Sequence, residues 1–249
     1  MNNRLTSIPF RGFDERGDVR VYYHGVLPHW RQANCTYFVT FRMADALPAA
    51  VIQELEYERD QWLQYRGIDV SSLKQAKLDW KSTIGKLSKA DQRVYDRTMA
   101  TKLNRYLDAG YGRCSLRRID LRTIVADSLQ FFHGDRVLTG DFVVMPNHVH
   151  VLIRPIGSSE LEDVLQAIKS YTATKINKVL REKGPFWMRE SYDHIVRDGD
   201  QLESFQNYIR ANPKKAKLRE DEFTYQSAKY CPDESIGGIL PPPTSRGES

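Results

Sequence analysis

Four separate stretches of the chain have the residue pattern of β-strands, and in the first of them β-branched and aromatic residues alternate. Pro146 falls between the second and third stretches and cannot donate a backbone hydrogen bond. A turn therefore belongs there, and the two strands should form a hairpin. The predicted strands cover residues 36–43, 137–145, 147–154 and 192–196.

Apolar residues at helical spacing predict five helices. We expect Asp120 to cap the third helix, and Ser159 with Glu162 to form a capping box at the fourth. Gly184 and the Asn212-Pro213 pair are expected to end the fourth and fifth helices. The predicted helices cover residues 49–66, 89–108, 121–129, 161–180 and 202–211.

The order of these elements indicates an α+β fold. Without residues 49–112, the order is strand, helix, strand, strand, helix, strand, helix, which fits a ferredoxin-like β-α-β-β-α-β antiparallel sheet with an extra C-terminal helix. We interpret residues 49–112 as a helical insertion after the first strand, and residues 1–33 as irregular. We expect residues 1–224 to form one domain and residues 225–249 to be a flexible tail.

Composition restricts the class of protein further. With 249 residues, of which 41% are hydrophobic, the chain can bury a core, and it lacks the run of ~18 apolar residues that a membrane helix needs. The three cysteines are scattered without a CxxC pair, and the N-terminal residues lack the apolar core of a signal peptide. We therefore expect a cytoplasmic protein that does not bind membranes.

The net charge of +5 is concentrated in one part of the chain. Of the 37 Lys and Arg and 32 Asp and Glu residues, residues 165–219 contain 12 and 6, and the rest of the chain contains 25 and 26. Aromatic residues are interleaved with the basic ones. Lys and Arg side chains neutralise phosphates, and aromatic rings stack on unpaired bases. This combination is typical of proteins that bind single-stranded nucleic acids. A solvated helix face gives a similar run of charges, although the imbalance argues against it.

The sequence His148-Val149-His150 is the strongest local sign of chemistry. In a strand these two histidines point to the same face, roughly 6.5 to 7 Å apart along the strand, so they can bind one metal ion. The alternative is that both lie on a solvated face. The rest of the strand is apolar, and packing alone does not require two imidazoles there.

Tyr208 and Asn212 form a second candidate pair. They are four residues apart on the last predicted helix and therefore share a face. A phenolate can attack phosphorus, and an amide oxygen can bind a hard metal ion. Spacing alone does not single them out, because Tyr208 also fits a half-buried aromatic and Asn212 a residue that stops a helix.

Four runs of sequence resemble a known family, the His-hydrophobic-His (HUH) single-tyrosine transposases, and among them the REP-associated tyrosine transposases. The resemblance covers about residues 30–48 and 114–218, whereas the long charged insertion at 49–112 departs from the short members of the family. The runs are YFVTFR (37–42), VVMPNHVHVLI (143–153), SYDHIVR (191–197) and YIRANPK (208–214).

The resemblance implies a Y1 transposase domain that cuts and rejoins single-stranded or hairpin DNA, such as palindromic repeats, through a 5′-phosphotyrosine link. Tyr208 would be the nucleophile, and His148 and His150 would bind Mg²⁺ or Mn²⁺. Asn212 would be the third ligand, although many relatives have Gln there, and His194 is the alternative. The protein would act at the nucleoid as a monomer or a homodimer.

We expect the DNA to run over the C-terminal third of the chain, and the insertion to add little charge-driven affinity. Two other functions fit the same residues: a DNA-binding regulator without activity, and a metal-dependent phosphoesterase in which water is the nucleophile. Replacing Tyr208 would leave the turnover of such a phosphoesterase intact. The residues expected to contact DNA are Lys169, Trp187, Arg189, Arg197, Arg210, Lys214 and Lys215.

Overall fold

The computed structural model of the protein describes residues 7–24, 27–71 and 87–233. Parts of three predictions lie outside these residues: the first part of residues 1–33, the polar middle of the insertion and the tail from residue 234 onward. The strands are β1 (Ile8–Phe10), β2 (Arg20–His24), β3 (Leu27–Arg31), β4 (Tyr37–Arg42), β5 (Val137–Val144), β6 (His148–Pro155), β7 (Tyr192–Ile195), β8 (Thr224–Gln226) and β9 (Tyr230–Pro232). The helices are α1 (Ala49–Tyr65), α2 (Lys89–Asp108), α3 (Ile119–Phe131), α4 (Leu161–Leu180) and α5 (Gly199–Lys215).

The predicted α+β fold is confirmed, and its centre is a five-stranded sheet. The strand order is β7-β4-β6-β5-β8, and every neighbouring pair is antiparallel. The four predicted strands are β4 to β7, and β5 and β6 pair directly, as the turn at Pro146 predicted. Apart from α1 and α2, the chain runs β4, α3, β5, β6, α4, β7 and then α5.

Alternation along the strands gives the sheet two apolar faces. One face carries Val149 and Val151 and packs beneath α3 and α4 in the larger core. The opposite face carries Phe38 and Leu152 and packs beneath Ile209 of α5. Helix α5 therefore lies across the face of the sheet that α3 and α4 leave uncovered.

The predicted helical insertion is present as α1 and α2, which pack on each other. Leu63, Tyr95 and Met99 form a small apolar cluster between them, separate from the main core. Val51 and Leu103 join the core beneath α3 and α4, so the insertion is anchored at its base.

Among the described residues no helix is both long and apolar enough to cross a membrane.

Both ends of the described chain contain strands where none was predicted. In the N-terminal part, β2 pairs with β3, and β1 pairs in parallel with β9. The prediction of a flexible tail from residue 225 is wrong for residues 225–233, because β8 extends the sheet beside β5 and Asp233 pairs with Arg154 at 2.6 Å. These strands are only three to five residues long. Strands of three residues carry too few alternations to be recognised, whereas β2 and β3, with five residues each, are longer than the predicted strand β7.

Two predicted helix starts are also wrong in detail. Asp120 lies inside the first turn of α3, and its carboxylate accepts hydrogen bonds from the guanidinium of Arg118. Glu160 precedes α4 without a side-chain cap, while the backbone N–H of Ser159 donates to Ile156 in a turn. The carboxylates expected to take part in capping pair with arginines instead: Asp120 with Arg118, and Glu162 with Arg31.

The ends of the last two long helices differ from the prediction. Helix α4 ends at Leu180 because Arg181 is left-handed (φ 56°), three residues before Gly184. Helix α5 continues through Pro213 to Lys215. Proline removes only one hydrogen bond so near the helix end, and the N–H of Ala216 still donates to the Asn212 carbonyl at 3.0 Å. Asn212 consequently stays in helical register with Tyr208.

Candidate active site

Two buried histidines lie on β6, on the face of the sheet that α5 covers. His148 and His150 are 1% and 0% exposed, and their Nε2 atoms are 3.0 Å apart. The strand therefore brings both imidazoles to one point. The alternative of a solvated face is wrong.

Each imidazole is held at its other nitrogen. Nδ1 of His148 lies 2.7 Å from Oδ1 of Asn147. Nδ1 of His150 lies 2.7 Å from Oγ1 of Thr40, its cross-strand neighbour on β4. These contacts orient both rings so that the two Nε2 atoms converge.

Burial keeps the pair neutral. Desolvation, with a smaller contribution from Arg42, lowers the pKa of His148 to about 3. Desolvation, followed by the effect of His148, lowers the pKa of His150 well below its ordinary value. Neutral imidazoles are the form that binds metal ions.

Helix α5 brings Tyr208 and Asn212 to the same point. The rings of Tyr208 and His150 meet edge to face with centroids 5.1 Å apart. The amide nitrogen of Asn212, which is fully buried, lies 3.4 Å from Nε2 of His150. Phe38 packs against both rings, at centroid distances of 5.8 Å from Tyr208 and 5.5 Å from His150. One chain thus assembles the four residues that the sequence analysis selected.

The donor atoms at this point fit a divalent cation. The part of the chain that the structure describes has no cluster of three or more His, Cys, Asp or Glu side chains that could hold a metal. The Nε2 atoms of His148 and His150 are 3.0 Å apart, so one divalent cation could be held by both neutral imidazoles. Turning the amide of Asn212 by half a turn would bring its oxygen to the same place.

His194, the alternative third ligand, does not reach the pair. It lies on β7 opposite Phe38, and its ring packs 5.7 Å from Phe205. Phe38 and Phe205 stack with centroids 4.3 Å apart, and Phe38 in turn stacks on His150. Two aromatic rings therefore separate His194 from His150, and this alternative is wrong.

The expectation that Trp187 stacks on DNA is also wrong. Its side chain is 5% exposed, and its ring packs edge-on against Phe41 in the core beneath α4. Its indole N–H donates to Oγ1 of Thr172 at 2.8 Å. A buried ring with a satisfied donor is a packing residue.

The other residues expected to contact DNA are placed differently. Lys169 is half-buried, and its ammonium group donates to the Arg189 carbonyl at 2.8 Å. Lys215 lies on α5 with its ammonium group 5.1 Å from the centre of the Tyr208 ring. The remaining side chains are exposed, namely Arg189, Arg197, Arg210 and Lys214.

Arg42 is a further site residue, which the sequence analysis missed. It is the cross-strand neighbour of His148, on the same face of the sheet. Burial lowers the pKa of its guanidinium, and the opposing charge of Glu190 raises it. Among the described residues, its Nε has no hydrogen-bond partner. The alternation of β4, which puts Arg42 on the face of Thr40, was the available signal.

Comparisons with known proteins agree with this site. Residues 131–212 match the family model described as "Transposase IS200 like". No curated protein matches the chain. A solved structure titled "Structure of the REP associates tyrosine transposase bound to a REP hairpin" is similar at a TM-score of 0.38 and 13% identity over 78% of this chain and 73% of that chain.

The match to the family model covers both histidines, Tyr208 and Asn212. Residues 131–212, about a third of the chain, are therefore similar to the IS200-like transposase family. This confirms the transposase resemblance that the sequence motifs indicated.

Proposed function

We propose that the protein cuts and rejoins single-stranded DNA, with Tyr208 as the nucleophile beside the histidine pair. The observation that carries the proposal is the 5.1 Å contact between the rings of Tyr208 and His150 within one chain. The sheet order β7-β4-β6-β5 supports a ferredoxin-like fold, with α5 as the added helix that carries Tyr208. The subgroup resemblance of the sequence motifs favours hairpin repeats as the substrate.

The proposed reaction exchanges one phosphate ester for another. The Tyr208 oxygen forms a new bond to a backbone phosphorus, and the bond from that phosphorus to the 3′ oxygen breaks. The proton lost by the phenol is balanced by the one that the 3′ oxygen gains, so the products are a 5′-phosphotyrosine and a 3′-hydroxyl. Attack by another 3′-hydroxyl reverses the step, and no ATP is needed because the covalent link retains the bond energy.

Three side chains would hold a cation for this step. His148 and His150 supply neutral nitrogens, and Asn212 supplies an amide oxygen from the turn of α5 that follows Tyr208. When bound, Mg²⁺ or Mn²⁺ supplies Lewis acidity for a phosphoryl oxygen. Asn212 and Tyr208 lie on the same helix. The position of the Asn212 amide therefore also determines the distance of Tyr208 from the two histidines.

Cations around this point would bind the DNA backbone. Arg42 lies beside His148 on the sheet, where we expect it to bind the phosphate that Tyr208 attacks. Lys214 and Lys215 follow on the same helix as Tyr208 and would bind neighbouring phosphates.

The proposal predicts a covalent adduct that depends on Tyr208. The natural chain, mixed with Mn²⁺ and a single-stranded oligonucleotide that contains a hairpin, should give a protein–DNA band on a denaturing gel. Tyr208→Phe should give none. Tyr171→Phe is the matched control and should keep the band, because Tyr171 lies on α4 and is 53% exposed.

Other results would contradict the proposal. An adduct formed by Tyr208→Phe would rule out the nucleophile. Cleavage by Tyr208→Phe without an adduct would point to the phosphoesterase that uses water. Tight binding by the natural chain without any metal-dependent cleavage would point to the inactive regulator.

A further inference from the structure

The turn before β6 contains a buried asparagine that joins the histidine pair to the end of the insertion. Asn147 is 1% exposed. Its Nδ2 donates to the backbone carbonyl of Tyr111 at 3.0 Å, and its Oδ1 lies 2.7 Å from Nδ1 of His148. The sequence analysis did not include Asn147 among the site residues.

These two contacts determine where the proton of His148 lies. A carbonyl oxygen only accepts hydrogen bonds, so the amide nitrogen of Asn147 must face Tyr111 and its oxygen must face His148. An amide oxygen also only accepts, so Nδ1 of His148 must carry the proton and donate. Nε2 of the neutral ring is then left with its lone pair, directed at His150 and the proposed cation.

The hydrogen-bond partner of His150 does not determine which of the two ring nitrogens carries the proton. The hydroxyl group of Thr40, 2.7 Å from Nδ1 of His150, can donate or accept by rotating. His150 can therefore donate from Nε2 to His148 in the metal-free protein and present a lone pair when a cation binds. Only His148 has its tautomer fixed by its surroundings.

The position of Asn147 is itself fixed by the backbone. Its carbonyl accepts from the N–H of Met43 at 2.8 Å, and the carbonyl of Pro146 accepts from the N–H of Leu116 at 3.0 Å. Arg113, next but one to Tyr111, donates to Asp45 and to Glu182. The base of the insertion is therefore tied to the residues after β4 and α4.

We propose that Asn147 is a positioning residue that holds His148 with its proton on Nδ1, and that the Tyr111 carbonyl at the end of the insertion sets the orientation of Asn147. The proposal rests on the proposed function for the use of the free Nε2. It gives the end of the insertion a role in the site that is independent of charge. The expected effect on metal affinity is about 10- to 100-fold, the usual consequence of losing the partner that orients a ligand.

Two substitutions separate positioning from packing. Asn147→Leu has similar volume but removes both hydrogen bonds, whereas Asn147→Asp keeps the acceptor for His148. Long-range ¹H–¹⁵N spectra of histidine-labelled, metal-free protein report the tautomer of each of the six histidines. Titration with Mn²⁺ gives the affinity, and thermal unfolding checks that both variants are folded.

We expect the natural chain and Asn147→Asp to have His148 protonated on Nδ1. Asn147→Leu should populate the Nε2–H form and bind Mn²⁺ about 10- to 100-fold more weakly, while Asn147→Asp stays within about threefold of the natural chain. An unchanged tautomer in Asn147→Leu, or equal losses in both variants, would overturn the proposal. A natural chain that binds no Mn²⁺ would instead contradict the proposed function, and the tautomer spectra would still decide the role of Asn147.

Discussion

Burial sets the chemistry of the individual side chains around the site. The same desolvation that keeps His148 and His150 neutral also acts on the cations nearby. Burial lowers the pKa of Lys169 to about 8, with a further contribution from Arg42, while Glu190 opposes the shift. A lysine that loses its proton more readily in the folded than in the unfolded chain makes stability depend on pH.

We predict that Lys169 contributes more to stability at alkaline pH. Its folded pKa lies below the ordinary value of about 10.4, so the unfolded chain binds more protons between about pH 8 and pH 10. The free energy of unfolding of the natural chain should therefore rise over that range relative to Lys169→Met, and the difference should level off below about pH 7. Urea unfolding at several pH values measures it.

The exposed Lys175 on the same helix supplies the control. Lys175→Met, measured over the same pH range, gives the effect of removing one charge from an exposed position of this helix. A flat or falling difference for Lys169→Met would contradict the predicted pKa.

At this scale the sequence predicts residues whose role lies in a local motif. His148, His150, Tyr208 and Asn212 belong to short runs that spacing and resemblance identify. Residues that work through a distant partner are not predictable in this way, because Asn147 needs a carbonyl 36 positions away. The prediction of His194 as a ligand was wrong because its local sequence does not show the two aromatic rings that separate it from His148 and His150.

The element that assembles the site is helix α5. Leu202 and Ile209 are buried against Phe38 and Leu152 of the sheet, so apolar packing fixes the helix across the histidine face. The N-terminal end is fixed too, because Asp198 caps the helix by accepting from the Gln201 N–H at 2.8 Å. The site depends on this packing because it holds Tyr208 against His150.

We predict that Ile209→Ala destabilises the protein by about 2 to 5 kcal/mol, because it removes a fully buried side chain and leaves a cavity beneath α5. Ile119→Ala, where the side chain is 69% exposed, should change stability by less than about 0.5 kcal/mol. Chemical denaturation of both variants measures the difference. Equal effects would show that α5 is not held by this contact.

Four of the five strands of the sheet were predictable, including the four-residue strand β7. Strands β5 and β6 have eight residues each, enough for their apolar and β-branched residues to be recognised in the sequence. Strands β8 and β9 have three residues each. Strand β8 forms because it can pair with β5 at the edge of the sheet, and β9 forms because it can pair in parallel with β1. Their formation depends on tertiary contacts rather than on local pattern.

Over the whole molecule, the excess of basic over acidic residues lies in residues 165–219, the segment that also contains Tyr208. Of the 12 Lys and Arg residues between 165 and 219, only Lys169 is not exposed. The exposed Arg97 and Arg105 lie instead on α2 of the insertion. We therefore expect basic residues near Tyr208 to contribute more to DNA binding than equally charged residues on the insertion.

We predict that Lys214→Gln with Lys215→Gln weakens binding of a labelled hairpin oligonucleotide and makes it less dependent on salt. Losing two phosphate contacts should reduce the slope of log affinity against log salt by about 1.4. The matched pair Arg97→Gln with Arg105→Gln removes the same charge from the insertion and should leave the slope unchanged. Fluorescence anisotropy over a range of salt concentrations tests both, and equal slopes for the two pairs would contradict the placement of the DNA.

The most direct test of the account is to locate the covalent link. The adduct formed with Mn²⁺ and a hairpin oligonucleotide is digested with protease and nuclease, and the modified peptide is sequenced by mass spectrometry. The account predicts a 5′-nucleotide on the phenolic oxygen of Tyr208. A nucleotide on Tyr171 or any other residue would contradict it.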